Sequence, residues 1–362
     1  MPKLIFIHLL NDYSGSPKVL SQVINAVKKN GYDFELYTGK SDNGFLSGLT
    51  DKHQHYFYKR FDNKYLTLFT FMFSQVSVFL KLLKYRNEDV LIYVNTMLPF
   101  GAALAGKLLN KPVYYHVHES FLQPPVFKQF LRFVIQKCSS QVIFVSESVQ
   151  QLEYFIDIPQ KVIYNSLPQD LLEVANKSHY EFKKEGIFNV IMICSLKAYK
   201  GVYEFIEVAS LCKDHEIEFT LVLNAEQVEI NSFFKQIALP SNLTLMPKQQ
   251  NVAPIYQSAS LLLNLSRVDQ CVETFGLTII EAMAFGVPVI VPPVGGPMEI
   301  ITDGEEGYLM SSYMTDEIAK KIINLSEDAE MCTKLSKSAR ARALCFGEDV
   351  FENEVIKTLF CS

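Results

Sequence analysis

The feature that most constrains this chain is a repeated alternation. Short runs of aliphatic and β-branched residues at 4–10, 34–38, 90–95, 113–118, 141–146 and 161–164 are separated by stretches of helical period such as 18–30, 67–85 and 99–109. The runs are too short for helices and mostly apolar, which predicts strands covered on both faces. Strands that alternate with helices predict a doubly wound parallel sheet. The pattern lapses at 168–186 (PQDLLEVANKSHYEFKKEG), a polar stretch that reads as a linker or edge element. It then resumes, with strand candidates at 189–194, 219–224, 243–247, 259–265 and 287–291 and helices at 202–213, 251–257 and 278–285. At roughly 100–200 residues per domain, 362 residues hold two domains. We therefore expect two Rossmann-like α/β domains in tandem, at about 1–170 and 171–345. Ligands bind beyond the carboxyl ends of such sheets, so two of them facing each other would form a central cleft.

Composition narrows the class. A chain that is 49% hydrophobic and 20% charged has ample core and is not disordered. Its net charge of −5 gives no reason to expect nucleic acid. Residues 1–170 carry a net +5 and the remainder a net −10, so the two halves differ in the partners they suit. A basic half favours anionic ligands or anionic lipid. Seven cysteines (138, 194, 212, 271, 332, 345, 361) are scattered, odd in number and free of CxxC pairs. That argues against a metal site or disulfide framework and for reduced thiols in the cytoplasm. The N-terminus reads as a first buried strand rather than a signal peptide. No segment reads as transmembrane: the best candidate, 65–80, contains Gln75 and is shorter than the roughly 20 residues a spanning helix needs. The stretch 125–137 sets Lys128, Arg132 and Lys137 among apolar residues at helical spacing and could lie on an anionic membrane. A helix packed on a sheet is the plainer reading.

The densest chemical signal is ETFGLTIIEAMAFGVPVI, residues 273–290. Phe275-Gly276-Leu277 reads as a tight loop and Thr278 as the cap of the next helix. Glu273 then lies before the helix and Glu281 within its first turns, so both carboxylates can face one ligand. Free amides at a helix start favour phosphate, and carboxylates accept from sugar hydroxyls. Together they describe a site for a phosphorylated sugar.

This segment resembles the retaining GT-B glycosyltransferases of the group 1, family 4 type. Their usual phrase is E-G-F-G-L-P-x-x-E-A-M-A-x-G-x-P-V-I; here Thr274 replaces the Gly and Thr278 the Pro. The resemblance continues through VGGPMEII (294–301) and DGEEG (303–307). It implies that Glu273 lies by the donor sugar near the anomeric carbon, that Glu281 binds the ribose hydroxyls, and that Thr274, Phe275, Gly276 and Leu277 contact sugar and phosphate. The family's G-R-L-x-x-x-K-G appears as CSLKAYKG (194–201). Lys200 matches the lysine that neutralises the diphosphate, while Ser195 stands where an arginine is usual. That removes one cation from the leaving-group site, and Lys197 partly compensates. SGSP (14–17) resembles the family's first loop, with Gly15 and Ser16 near the diphosphate. His118, followed by Glu119, fits the histidine beside the transferred sugar, and His116 reads as structural. VSES (145–148) and VIYNS (162–166) are further signposts, and the tail from about 346 resembles helices that cross back to the N-terminal domain. The likeness is thin at 40–110 and 120–140, where the acceptor should bind.

The resemblance implies a metal-independent, retaining hexosyltransferase with no cofactor beyond its UDP-, GDP- or similar nucleotide-sugar donor. Its acceptor would be a glycan or lipid-linked saccharide, as in bacterial surface polysaccharide synthesis. Charge and class together suggest a cytoplasmic enzyme, peripheral at the inner membrane face through its N-terminal domain. A GT-B phosphorylase, a nucleotide-sugar epimerase and a non-catalytic sugar-nucleotide-binding protein are the alternatives.

Overall fold

The computed structural model describes residues 1–360 apart from Asp42 and Cys271; Cys271 and Cys361, two of the seven thiols, lie outside the described residues. The chain divides into two units, one of Met1–Asn165 together with Asp349 onward, the other of Ser166–Glu348.

The first unit runs β1 (Lys3–His8), α1 (Gly15–Lys29), β2 (Phe34–Gly39), β3 (His53–Tyr56), α2 (Lys64–Leu82), β4 (Val90–Asn95), α3 (Phe100–Leu108), β5 (Val113–Val117), α4 (Pro125–Cys138), β6 (Gln141–Phe144), α5 (Glu147–Leu152) and β7 (Gln160–Val162). Its seven strands are parallel, in the order β3-β2-β1-β4-β5-β6-β7. The period of two in a strand sends Ile5 and Ile7 of β1 into one core, where Ile92 and Val94 of β4 and Val113 and Tyr115 of β5 join them. Helices α2, α3 and α4 cover that core with Phe71, Val78, Phe100, Leu131 and Ile135. On α1, Val19, Leu20, Val23, Ile24 and Val27 recur at helical spacing and are fully buried.

The second unit runs α6 (Gln169–Asn176), β8 (Phe188–Cys194), α7 (Val202–Leu211), β9 (Ile217–Leu223), α8 (Gln227–Phe233), β10 (Leu243–Met246), α9 (Ala253–Ser258), β11 (Leu261–Leu263), α10 (Leu277–Ala284), β12 (Val289–Val291), α11 (Pro297–Ile300), β13 (Gly307–Leu309), α12 (Thr315–Glu327) and α13 (Ala329–Ala343). Its six parallel strands are ordered β10-β9-β8-β11-β12-β13. The stretch expected as a linker or edge carries α6, whose amphipathic turns bury Ala175. Arg340 of α13 donates to the carbonyls of Phe285 and Ser178, each at 3.0 Å. It thereby satisfies the open carbonyl end of α10 and holds that helix in place. A last helix, α14 (Glu348–Phe360), belongs to the first unit from Asp349 on. There Glu352 accepts from Lys29 and Asn30 at 2.7 and 2.8 Å, and Phe360 stacks on Tyr32 at 3.6 Å between ring centroids.

Strand order reverses between β1 and β4 in the first sheet and between β8 and β11 in the second. Loops leave neighbouring strands in opposite directions at such points and open a crevice at the carboxyl edge.

Candidate functional site

In the second unit the crevice lies where β8 and β11 end. The loop after β8 is wound tight: Lys197 N donates to Ser195 O at 2.7 Å, Lys200 N to Lys197 O at 3.0 Å and Gly201 N to Ala198 O at 3.0 Å. Gly201 has a φ of +80°, and a Cβ there would sit 2.0 Å from Leu265 O, so this loop presses on the one after β11. Arg267 N donates to Tyr199 O at 2.8 Å and ties the two loops together. Lys200 is thereby held with its Nζ 2.7 Å from Glu273 Oε2, and Ser266 Oγ donates to the same oxygen at 3.2 Å. Burial is the largest influence on Glu273 and pushes its carboxyl up. Lys200, Ser266 and Asn264 together outweigh burial and hold it below the ordinary carboxylate value. Glu273 is therefore an anion at neutral pH.

Gly276 turns the chain into α10 with a φ of +114°. The helix begins at Leu277, so Thr278 lies inside its first turn and is not the cap expected from the sequence. The glycine makes the turn by itself, without a side-chain cap. The first amides of α10 lack partners within the helix. Gly296 N donates to Glu273 O at 2.9 Å. A Cβ on Gly295 would lie 2.4 Å from Glu273 O, and one on Gly296 would lie 2.4 Å from Phe275 Cα. The GGP turn thus needs glycines because it backs directly onto the backbone of 273–275. Phe275 is buried edge-on against Phe346, while Glu281 is buried on α10 and accepts from Tyr256 Oη at 2.8 Å. Thr274, Phe275, Gly276 and Leu277 thus join Glu273 and Lys200 at one crevice. Ser195 is half-buried there and Lys197 is exposed.

The first unit gathers a second cluster where β1, β4 and β5 end. Asp12 Oδ1 accepts from Ser14 N at 2.9 Å and shapes the turn into α1, which opens at Gly15. Asn95, the last residue of β4, donates from Nδ2 to Ser16 O at 3.1 Å. Its Oδ1 faces His118 Nε2 at 2.9 Å. A carbonyl can only accept, so the Ser16 contact fixes the amide's orientation and puts the His118 proton on Nε2. That leaves His118 Nδ1 as an acceptor. Burial first, then His116 and His8, holds the His118 imidazole well below its ordinary value, so it is neutral. His116 lies with its ring centroid 4.3 Å from that of His118; its Nδ1 meets Tyr93 Oη at 2.7 Å, and burial lowers it to about 3. Thr96 is held at a φ of +73°, a conformation that strains a β-branched residue by about 1–3 kcal/mol. Met97 N, next along, donates to Glu119. Burial raises Glu119 to about 7 against the lowering effect of those backbone amides.

Sequence reasoning missed Asn95, Tyr256, Asn264, Ser266 and Arg267. Three of them (Asn95, Asn264 and Ser266) sit at the carboxyl ends of predicted strands, and that position was the available signal. Among the described residues no group of three His, Cys, Asp or Glu side chains could hold a metal ion. Five described cysteines are free. One described helical stretch, Lys64–Asn87, is long and apolar enough to cross a membrane by length and composition, with a third of its most apolar window buried.

Comparison with known proteins places both units. The Glycosyl transferases group 1 family model matches residues 176–342, and the Glycosyltransferase Family 4 model matches 13–168. Among curated relatives, N-acetyl-alpha-D-glucosaminyl L-malate synthase of Bacillus anthracis is 29% identical over 60% of this chain and 58% of its own length. An uncharacterized glycosyltransferase of Haemophilus influenzae is 21% identical over 94% of this chain and 95% of its own. Among solved structures, Anabaena HepE in complex with UDP and glucose superposes with a TM-score of 0.80 at 20% identity, covering 99% of both chains. That likeness shows the GT-B fold.

Proposed function

Because the chain belongs to the glycosyl transferases group 1, family 4 type, we propose that it is a retaining hexosyltransferase that takes its sugar from a nucleotide diphosphate. The observation that carries this reading is the Lys200–Glu273 pair at the β8/β11 switch point, beside the open amides of α10. An ammonium and helix-start amides suit a diphosphate, whose charge grows as the glycosidic bond breaks. Glu273 is an anion poised to accept from sugar hydroxyls, and Glu281 is assigned to the ribose. In the first unit, His118 is assigned to the transferred sugar, where neutral Nδ1 accepts a hydroxyl proton. Gly15 and Ser16 open α1 toward phosphate.

The donor is proposed to be a UDP-sugar, since HepE was solved with UDP-glucose as well as with UDP. The acceptor is proposed to be a glycan or lipid-linked saccharide of bacterial surface polysaccharide synthesis. The proposed setting is cytoplasmic at the inner membrane face, in keeping with five free thiols. The reaction is proposed to need no metal, with Lys200 supplying the charge.

Calorimetry with UDP and UDP-glucose tests the assignment. Glu281→Ala is expected to weaken binding on the order of tenfold or more, since a buried hydrogen-bond acceptor is lost. Unchanged affinity removes Glu281 from the donor site. Turnover in EDTA and an anomeric configuration preserved in the product are the expected kinetic outcomes. A second reading, binding without catalysis, rests on Ser195 in place of the expected arginine. Tight UDP-sugar binding with no turnover across a panel of acceptors would favour it.

A further inference from the structure

Helix α2 has two faces of opposite fate. One is locked into the first unit: Phe71, Ser74, Gln75, Val78 and Leu82 are buried, and Gln75 Oε1 accepts from Gly101 N at 3.0 Å. A Cβ on Gly101 would lie 2.1 Å from Gln75 O, so α2 and α3 touch backbone to backbone. The other face is apolar and bare. Tyr65, Phe69, Met72, Phe73, Val76 and Leu80 are 44–70% exposed and form a continuous stripe of about 24 Å at 1.5 Å per residue. Val126, Phe130 and Phe133 of α4 add to it, with Phe130 packed edge-on against Phe100 of α3. A soluble monomer rarely exposes so large a contiguous apolar patch without a use for it.

The charges around this face identify what covers it. Helices α2, α3 and α4 carry Lys64, Lys81, Lys107, Lys128, Arg132 and Lys137 and no acidic residue. Lys128 and Arg132 pair with the buried Glu153. Among the described residues no carboxylate lies within ion-pair distance of Lys64, Lys81, Lys107 or Lys137, nor of Lys59 and Arg60 just ahead of α2. An apolar stripe with aromatic side chains, rimmed by basic side chains with the single carboxylate of Asp62 among them, complements a layer with an apolar interior and an anionic surface. A second copy of the same face would set these cations against one another. Spanning is excluded by the locked face: α2 cannot enter a bilayer core without tearing Gln75 from Gly101 of α3 and Phe71 from Phe100 and Phe127.

We propose that the outward face of α2, extended by α4, docks the first unit onto an anionic lipid surface, with α2 lying in the interface plane. The proposal rests on the membrane-face setting proposed above and names the surface that makes the contact, while the donor assignment fails or holds separately, since UDP-glucose binding in solution is measured without vesicles.

The test is co-sedimentation of the full chain with vesicles of phosphatidylcholine alone or mixed equally with phosphatidylglycerol. The chain is expected to pellet with the mixed vesicles and to be released by high salt. Phe69→Glu/Val76→Glu is expected to cut partitioning on the order of tenfold or more, whereas Val228→Glu, an exposed apolar site in the second unit, leaves it unchanged. Circular dichroism and UDP-glucose affinity report on folding. Should the double variant fail to fold, Lys59→Gln/Arg60→Gln/Lys64→Gln replaces it, and loss of the preference for anionic vesicles is then the supporting result. No wild-type binding to either vesicle, or equal binding by wild type and variants, overturns the proposal. So does a wild-type dimer in light scattering that Phe69→Glu/Val76→Glu splits without any vesicle binding, which would assign the face to a second copy.

Discussion

Lys200 and Glu273 hold each other at 2.7 Å, so each sets the other's behaviour. Lys200→Met is expected to lower kcat on the order of a hundredfold or more, as loss of a charged donor at a developing phosphate charge does. Steady-state kinetics with UDP-glucose checks this, and a kcat within a few-fold of wild type would remove Lys200 from the leaving-group site. The same substitution leaves Glu273 buried without its main counter-charge, so its carboxyl rises. Glu273→Gln in the same chain should then recover stability without recovering rate. Lys200, Glu273 and Glu281 were legible because they stand at fixed places in short motifs beside glycines. Their partners were not: Ser266 reaches Glu273 and Tyr256 reaches Glu281 through hydrogen bonds from other segments, as Asn95 reaches His118. Such a contact leaves no mark on composition or period.

At the scale of elements, buried strands were legible because both faces are apolar. The expected run at 259–265 shortens to β11 (Leu261–Leu263). β3 and β13 were missed. β3 is HQHY, a half-exposed edge strand with one apolar position in four, and β13 opens on Gly307, which packs against Val289 O where no side chain fits. Helix α6 hid in a polar stretch because it buries little. The turns were legible as glycines without the reason for them. Gly296→Ala places a methyl 2.4 Å from Phe275 Cα, which has no flexible side chain to yield. Destabilisation of about 2–4 kcal/mol is expected, together with a drop in activity from displacement of the 273–275 backbone. Thermal melting by circular dichroism and turnover at a temperature where the variant is folded separate the two effects. A stable variant with altered rate would show that the loop alone moves.

Across the whole molecule the charge is divided: Lys and Arg outnumber Asp and Glu by 19 to 15 in the first unit, and Asp and Glu outnumber Lys and Arg by 24 to 15 in the second. The basic unit also holds the buried imidazoles. Burial lowers His8 to about 4 and His116 to about 3, and His118 lies well below its ordinary value. Groups lowered on folding stabilise above their unfolded value of 6.5, and that stability is lost as pH falls toward the folded values. For His8 alone the loss is on the order of 3 kcal/mol. Glu119 acts oppositely: raised to about 7, it favours the fold below its unfolded value and loses that contribution as pH rises through neutrality. Three imidazoles outweigh one carboxyl below about pH 6.5. Stability should therefore peak near pH ~6–7 and fall steeply toward about pH 4.5. With no tryptophan in the chain, circular dichroism rather than indole fluorescence is the measurement. A flat profile from about pH 7 to 4.5 would contradict the neutral, buried state of these histidines.

Helix α14 adds a condition that concerns time rather than energy. It completes the first unit through Glu352, Glu354 and Phe360, yet it follows the whole of the second unit in the chain. A ribosome adding roughly 5–20 residues per second needs on the order of 10–40 s to make Ser166–Glu348. For that interval the nascent first unit waits without its last helix, its Tyr32 and Lys29 uncovered. The apolar face of α2 is by then already made, so docking on lipid as proposed would be open to the chain before its first unit is finished.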